Sequence, residues 1–182
     1  RGQIGDGSGN QAWGCPDKLT PVSVSGISTA VTVAAGSSHT CASLSNRDLY
    51  CWGDGRTGAL GNGSESTITT PNQVSEISTA VSVSTGGGHS CAILSDSTLK
   101  CWGNNSFGQI GDNSTTQRNI PVTVLSNVKS ISAGDQHTCA LLNDNTVKCW
   151  GWNNDGQIGD GSNDSRLIPT TVLNLGPAEK IS

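Results

Sequence analysis

The stretch His137 to Asp160, HTCALLNDNTVKCWGWNNDGQIGD, decides the fold, because the chain repeats it. It recurs as HSCAILSDSTLKCWGNNSFGQIGD from His89 and as HTCASLSNRDLYCWGDGRTGALGN from His39, and its tail alone, GQIGD, stands at Gly2 to Asp6. A period of about fifty residues marks one supersecondary unit per repeat, stable only when stacked on its neighbours. The residues between the copies repeat too. Short runs such as Val81-Ser-Val-Ser alternate with period two, as strands do, and Val31-Thr-Val-Ala-Ala-Gly is echoed by Val81-Ser-Val-Ser-Thr-Gly and Val128-Lys-Ser-Ile-Ser-Ala-Gly. Each is read as an inner strand ending on a glycine where neighbours crowd together. Pro21-Val-Ser-Val, Pro121-Val-Thr-Val and Pro169-Thr-Thr-Val open on a residue that cannot donate to a ladder, which predicts edge strands. Strands in repeats of this length make a β-propeller blade or a β-solenoid coil. The register divides the chain into a trailing fragment at 1–30 and repeats at 31–80, 81–127 and 128–182, the last running into the start of another.

Composition narrows the function. Only 33% of the side chains are apolar, which suits many small sheets packed face to face better than one large core. The net charge of −4 lacks the clustered Lys and Arg of a nucleic-acid surface. No apolar run reaches the ~20 residues of a membrane-spanning helix.

The cysteine pairs 41/51, 91/101 and 139/149 are each separated by nine residues. A hairpin centred on Asp144 pairs Leu142 with Thr146, Ala140 with Lys148 and Cys139 with Cys149; the same arithmetic centres the others on Asn46 and Asp96. Directly opposed cysteines in antiparallel strands lie within reach of a disulfide. Three pairs at one spacing predict an oxidising compartment. The competing reading is a metal site built from His39, His89 or His137 with its local cysteines. It supplies at most three ligands per repeat and lacks the CxxC spacing of zinc sites, so no metal is assigned. The histidines are expected to pack at blade corners with their ring nitrogens bonded to backbone. Cys15, the seventh cysteine, is left for a partner outside the visible segment, for a linkage between chains, or as a buried free thiol beside Trp13.

Trp52, Trp102 and Trp150 each precede a glycine, and Gly58, Gly108 or Gly156 follows six residues on. Recurrence at one register marks structure: an aromatic wedge between blades. Asp160-Gly-Ser-Asn-Asp164 spaces oxygens as calcium loops do, but the other copies lack its second carboxylate, and turn chemistry accounts for all of them.

The pattern AG-x-x-H-T/S-C-A-x-L, x-C-W-G-x-N-x-x-G-Q-I-G-D and P-x-x-V resembles the repeat of the regulator of chromosome condensation (RCC1) family, above all its cysteine-bearing form in secreted and surface proteins. The resemblance covers nearly the whole chain. It implies blades of four antiparallel strands, usually closed into seven-bladed propellers. About three and a half repeats are visible here, a partial propeller or open array. The family's best-known activity is guanine-nucleotide exchange on the GTPase Ran in the nucleus. Predicted disulfides and the lack of a basic tail argue against that activity here, and it stays an alternative. Related propellers serve as protein ligands, including inhibitors of β-lactamase.

The sequence therefore predicts a non-catalytic, cofactor-free extracellular or cell-surface module that binds protein or glycan, or pairs with further copies of itself through open sheet edges. A hydrolase on a propeller would need convergent acids or a nucleophile–base pair, and the histidines sit at equivalent repeat positions instead. Residues that break the repeat are the candidate contacts: Arg56, Phe107, Arg118, Trp152 and Arg166. Sequons at Asn62, Asn104, Asn113 and Asn163 fall in loops and are candidate glycosylation sites.

Overall fold

In the computed structural model, which describes residues 2–8 and 18–182, the chain is all-β. Twelve strands form three four-stranded antiparallel sheets in sequence order. The first sheet runs β1 (Ala30–Ala35), β2 (His39–Leu44), β3 (Leu49–Gly53), β4 (Ile68–Gln73). The second runs β5 (Ala80–Thr85), β6 (His89–Leu94), β7 (Leu99–Gly103), β8 (Arg118–Leu125). The third runs β9 (Val128–Ala133), β10 (His137–Leu142), β11 (Val147–Gly151), β12 (Arg166–Thr171). They stand as successive blades in an open arrangement, with β1 against β5 and β5 against β9 at the inner end.

The central hairpin of each blade forms for local reasons. The side chains of Asn46, Asp96 and Asp144 each accept the backbone N–H two residues on, and Arg47, Ser97 and Asn145 take positive φ of 66–70°. This is a three-residue loop, a turn followed by one left-handed residue. It sets the predicted register, in which Cys41 faces Cys51, Cys91 faces Cys101 and Cys139 faces Cys149, and each pair is a disulfide. Cys15 lies outside the described residues.

The prolines fall where a missing donor costs least. Pro71, Pro121 and Pro169 lie in β4, β8 and β12, the outer edge of each sheet. The segment at Pro21 differs from expectation: it carries no assigned strand, and no third strand stands beside it to receive one among the described residues. After β12 the chain begins the pattern again. Ala178 N–H bonds Asn145 O as Ala80 bonds Arg47 O and Val128 bonds Ser97 O in the earlier copies.

The core lies between the sheets. Leu49 and the Cys41–Cys51 bridge pack from the first blade against Val83, Ala92 and Trp102 of the second. Leu99 and the Cys91–Cys101 bridge pack in turn against Val128, Ala140 and Trp150 of the third. The first two disulfides therefore face the following blade, and Trp102 and Trp150 the preceding one. The middle sheet is packed on both faces, so a modest apolar content suffices.

Closing an eleven-residue loop stabilises by about 2–3 kcal/mol through the unfolded chain. Replacing Cys91 and Cys101 together by Ala should lower the unfolding free energy in urea by about that amount, and an unchanged midpoint would show that the bridge is absent in solution.

Candidate functional site

Among the described residues no strand pairs across a seam, so apart from scattered backbone bonds the blades are joined by side chains that reach over. At the first seam Ser90 Oγ donates to Ala59 O at 2.9 Å, and Trp102 Nε1 donates to the same oxygen at 2.9 Å. His39 Nε2 lies 2.8 Å from Ser90 Oγ. The hydroxyl's one proton is committed to Ala59 O, so the ring must donate through Nε2–H; burial disfavours its charged form, so Nδ1 carries no proton. The second seam repeats the arrangement. Thr138 Oγ1 and Trp150 Nε1 share Gln109 O at 2.8 and 3.0 Å, and His89 Nε2 reaches Thr138 Oγ1 at 2.8 Å. In front of the first blade Thr40 Oγ1 and Trp52 Nε1 share Gln3 O at 3.0 and 2.7 Å. The histidines were expected to bond backbone. His39 and His89 bond a neighbour's hydroxyl instead, beside a carbonyl that already receives that hydroxyl and the indole.

Close approach makes this possible. Gly111 has φ +86° and a Cβ there would stand 2.6 Å from Trp150 Nε1; Gly61 meets Trp102 in the same way. A Cβ on Gly86 would stand 2.2 Å from Gly134 O in the next blade, the crowding expected of the inner strand's glycine.

Strand direction gives each blade two ends. One carries the hairpin turns. The other carries the loops after the first and third strands, and all five candidate contact residues lie there. Three of them are tied down. Arg118 bonds Asp112 at 2.6 Å and Arg166 bonds Asp160 at 2.5 Å, six residues back in each case. Arg56 forms a fork with Asp54, which raises the guanidinium's pKa through those hydrogen bonds. The Arg166 bond, against burial and helped by Ser162, lowers the Asp160 carboxyl to about 2. Of the two carboxylates that suggested a calcium loop, that of Asp160 is thus engaged by Arg166 and Ser162, while Asp164 is exposed.

A buried asparagine organises each such loop. Asn105 Nδ2 binds Asp112, Ser114 and Thr116 while its Oδ1 accepts Ile110 N–H; Asn153 repeats the pattern with Asp160, Ser162, Asp164 and Ile158. In the first blade the corresponding residues are Gly55, Asn62 and Ile68, so amide, acid and arginine are replaced as a set.

Phe107 and Trp152 are the two candidates the structure brings together. Their rings stack across the second seam with centroids 5.5 Å apart and planes at 23°. Phe107 keeps 39% of its surface exposed. Of the sequons, Asn113 and Asn163 are exposed, whereas Asn62 and Asn104 are half-buried and hold backbone N–H groups of their own loops.

The charge is partitioned as well. Among the described residues the loop end holds Asp6, Asp54, Glu65, Asp112, Asp135, Asp155, Asp160 and Asp164 against Lys18, Arg56, Arg118 and Arg166. The hairpin end holds five acids (Asp48, Glu76, Asp96, Asp144, Glu179) and five bases (Arg47, Lys100, Lys129, Lys148, Lys180). All four loop-end bases are in ion pairs. The excess of four negative charges therefore sits at one end. Among the described residues no group of three or more His, Cys, Asp or Glu is placed to hold a metal ion.

The seam hydroxyls and carbonyls escaped the sequence reading. Their one signal was the Ser or Thr that follows each histidine, at 40, 90 and 138.

Comparison with known proteins agrees with this architecture. Residues 48–93, 99–141 and 144–182 match the profile described as the regulator of chromosome condensation (RCC1) repeat, and 30–59, 80–109 and 128–157 match a second profile of the same description. No curated protein matches the chain. Among solved structures, yeast RCC1 (Prp20) bound to Kap60 is similar at 22% identity with a TM-score of 0.73, over 82% of this chain and 38% of that one. Prp20p of Saccharomyces cerevisiae, described together with its binding properties to Gsp1p and histones, gives 22%, 0.74, 82% and 39%. Human WBSCR16 gives 25%, 0.69, 78% and 37%. The chain thus spans less than two fifths of each of these relatives.

Gly111→Ala forces a Cβ into the indole at a left-handed φ, and should cost on the order of 2–4 kcal/mol in urea unfolding. Gly176→Ala, where a Cβ meets nothing within 4 Å, should stay within about 0.5 kcal/mol of the parent. Equal effects would contradict the close-packed seam.

Proposed function

The chain belongs to the regulator of chromosome condensation (RCC1) repeat family, and from that premise we propose that it is a non-catalytic, protein-binding propeller module of the extracellular space or cell surface. The observation that carries this reading is the Phe107–Trp152 stack. Its two positions are Thr57 and Asp155, and Asp54 and Asn104, in the other repeats. Two aromatics thus replace polar residues, they meet across a seam, and one keeps substantial exposure. Aromatic anchors beside a polar rim are the usual centre of a protein interface. The rim here is acidic, because the loop-end bases are ion-paired while Asp135, Asp155 and Asp164 are exposed. A partner with a basic face suits it, and the charge would speed encounter more than it tightens the complex.

Three disulfides support an oxidising location. The histidines support a structural role over catalysis, since His39 and His89 are buried and committed to relays. The yeast relative is described with Kap60 and for binding Gsp1p and histones. Protein recognition is the property carried over, not those partners.

The test is capture from a secreted or surface fraction with three proteins side by side: the parent, Phe107→Ser with Trp152→Ser, and Lys129→Ala with Lys180→Ala at the hairpin end. The aromatic variant should lose a partner's affinity by at least about tenfold, or ~1.4 kcal/mol, while the hairpin-end variant keeps it. Undiminished capture by the aromatic variant would refute the proposed contact surface.

A further inference from the structure

The two seam relays do more than join blades. In each, the hydroxyl gives its proton to a carbonyl and so demands a proton from histidine Nε2. Charging the ring would place a second proton on Nδ1. A Cβ on Gly86 would stand 2.7 Å from His89 Nδ1, and one on Gly36 would stand 3.0 Å from His39 Nδ1, so backbone closes in on that side. His89 Nδ1 is buried and has no hydrogen-bond partner. An imidazolium there would carry both an unaccepted N–H and an unhydrated charge. Opening the seam satisfies both by letting water in.

We propose that the seams are an acid-labile latch: protonation of His39 and His89 parts the blades while each sheet, stapled by its own disulfide, stays folded. The asymmetry between seam and sheet is the basis. Within a blade the strands share ladders and a covalent bridge; across a seam the links are the relays, other side-chain hydrogen bonds such as Thr57 Oγ1 to Gly88 O and Gln117 Nε2 to Glu65, scattered backbone bonds such as Gly63 N–H to Asn119 O, and apolar packing. This latch does not depend on the binding role proposed above, though the Phe107–Trp152 stack spans the seam that His89 holds.

The charged groups around the histidines set the order of events. Asp54 faces His39 and favours its charged form, against a larger opposing effect of burial. His89 is influenced by burial first and then by His39 and His137, all three opposing its charge. His137 has Asp135 beside it and is only half-buried. Burial brings His39 down to about 4 and His89 to about 3. Both are lowered from 6.5, so the opened state takes up protons first. Their contribution is whole above about pH 6.5 and is lost as pH falls toward about 4 and then about 3. Carboxylates fall in a separate window. Asp6 and Asp160, lowered from 3.8 to about 2, lose their contribution only as pH drops below 3.8.

The experiment follows two signals from pH 7 to pH 3: emission of the seam tryptophans and far-ultraviolet circular dichroism of the sheets. The parent should show an emission change above about pH 4 with the dichroism intact. His39→Gln with His89→Gln keeps a donor for each hydroxyl but cannot take a charge, and should move the emission change down by about one pH unit or more. Thr138→Ala, which removes a relay but leaves His89 titratable, should weaken the protein at pH 7 and keep the acid transition. If emission and dichroism change together in the parent, or if no emission change occurs above about pH 4, the latch is wrong. It is equally wrong if the glutamine variant opens at the parent's pH.

Discussion

One backbone carbonyl per seam gathers a hydroxyl, an indole and, through the hydroxyl, a histidine at the join between blades. Ala59 O and Gln109 O each receive a hydroxyl and an indole N–H from the next sheet, and Gln3 O receives the same pair in front of the first. A carbonyl has two lone pairs, and both are used. Glycine two residues on lets the indole lie flat against the loop, the histidine of the blade that supplies the carbonyl closes on the hydroxyl, and apolar packing fills the rest of the seam. Loop, tryptophan, hydroxyl and histidine are therefore one unit distributed over two repeats. No repeat could keep it alone, which is the physical reason the period recurs so strictly in those residues.

That unit leaves the rest of each loop free to vary as long as it is internally satisfied. The second and third blades use asparagine, aspartate and arginine together; the first replaces all three with glycine, asparagine and isoleucine. The set changes as a whole because a lone Asp112 or Arg118 would leave a partly buried charge without its partner. Phe107 and Trp152 use the same freedom differently. They meet each other instead of satisfying their own loops, and this sets them apart from the paired arginines at the same end.

Much of this was legible in the residues. The hairpin arithmetic around Asp144 placed Cys139 opposite Cys149, because period-two geometry and a short loop leave one register. Proline marked the edge strands, and glycine at 36, 86 and 134 marked the crowded inner end. The seam relay was not legible, because the hydroxyl, the carbonyl and the imidazole that compose it lie some thirty and fifty positions apart and belong to different repeats. The arginines looked like free surface because they vary between copies, yet the variation follows their carboxylate partners. The stack of Phe107 on Trp152 could not be anticipated either, since pairing across a seam depends on how far one sheet is turned against the next.

The most direct measurement is the tautomeric state of His39 and His89, from two-bond proton–nitrogen correlations on protein labelled with nitrogen-15. A hydroxyl already committed to a carbonyl requires Nε2–H on both rings, and burial keeps the rings neutral, so at pH 7 each should carry its one proton on Nε2 and exchange it slowly. Rings protonated on Nδ1, or Nε2 protons exchanging as fast as those of exposed imidazole, would contradict the relay and with it this account of how the blades are joined.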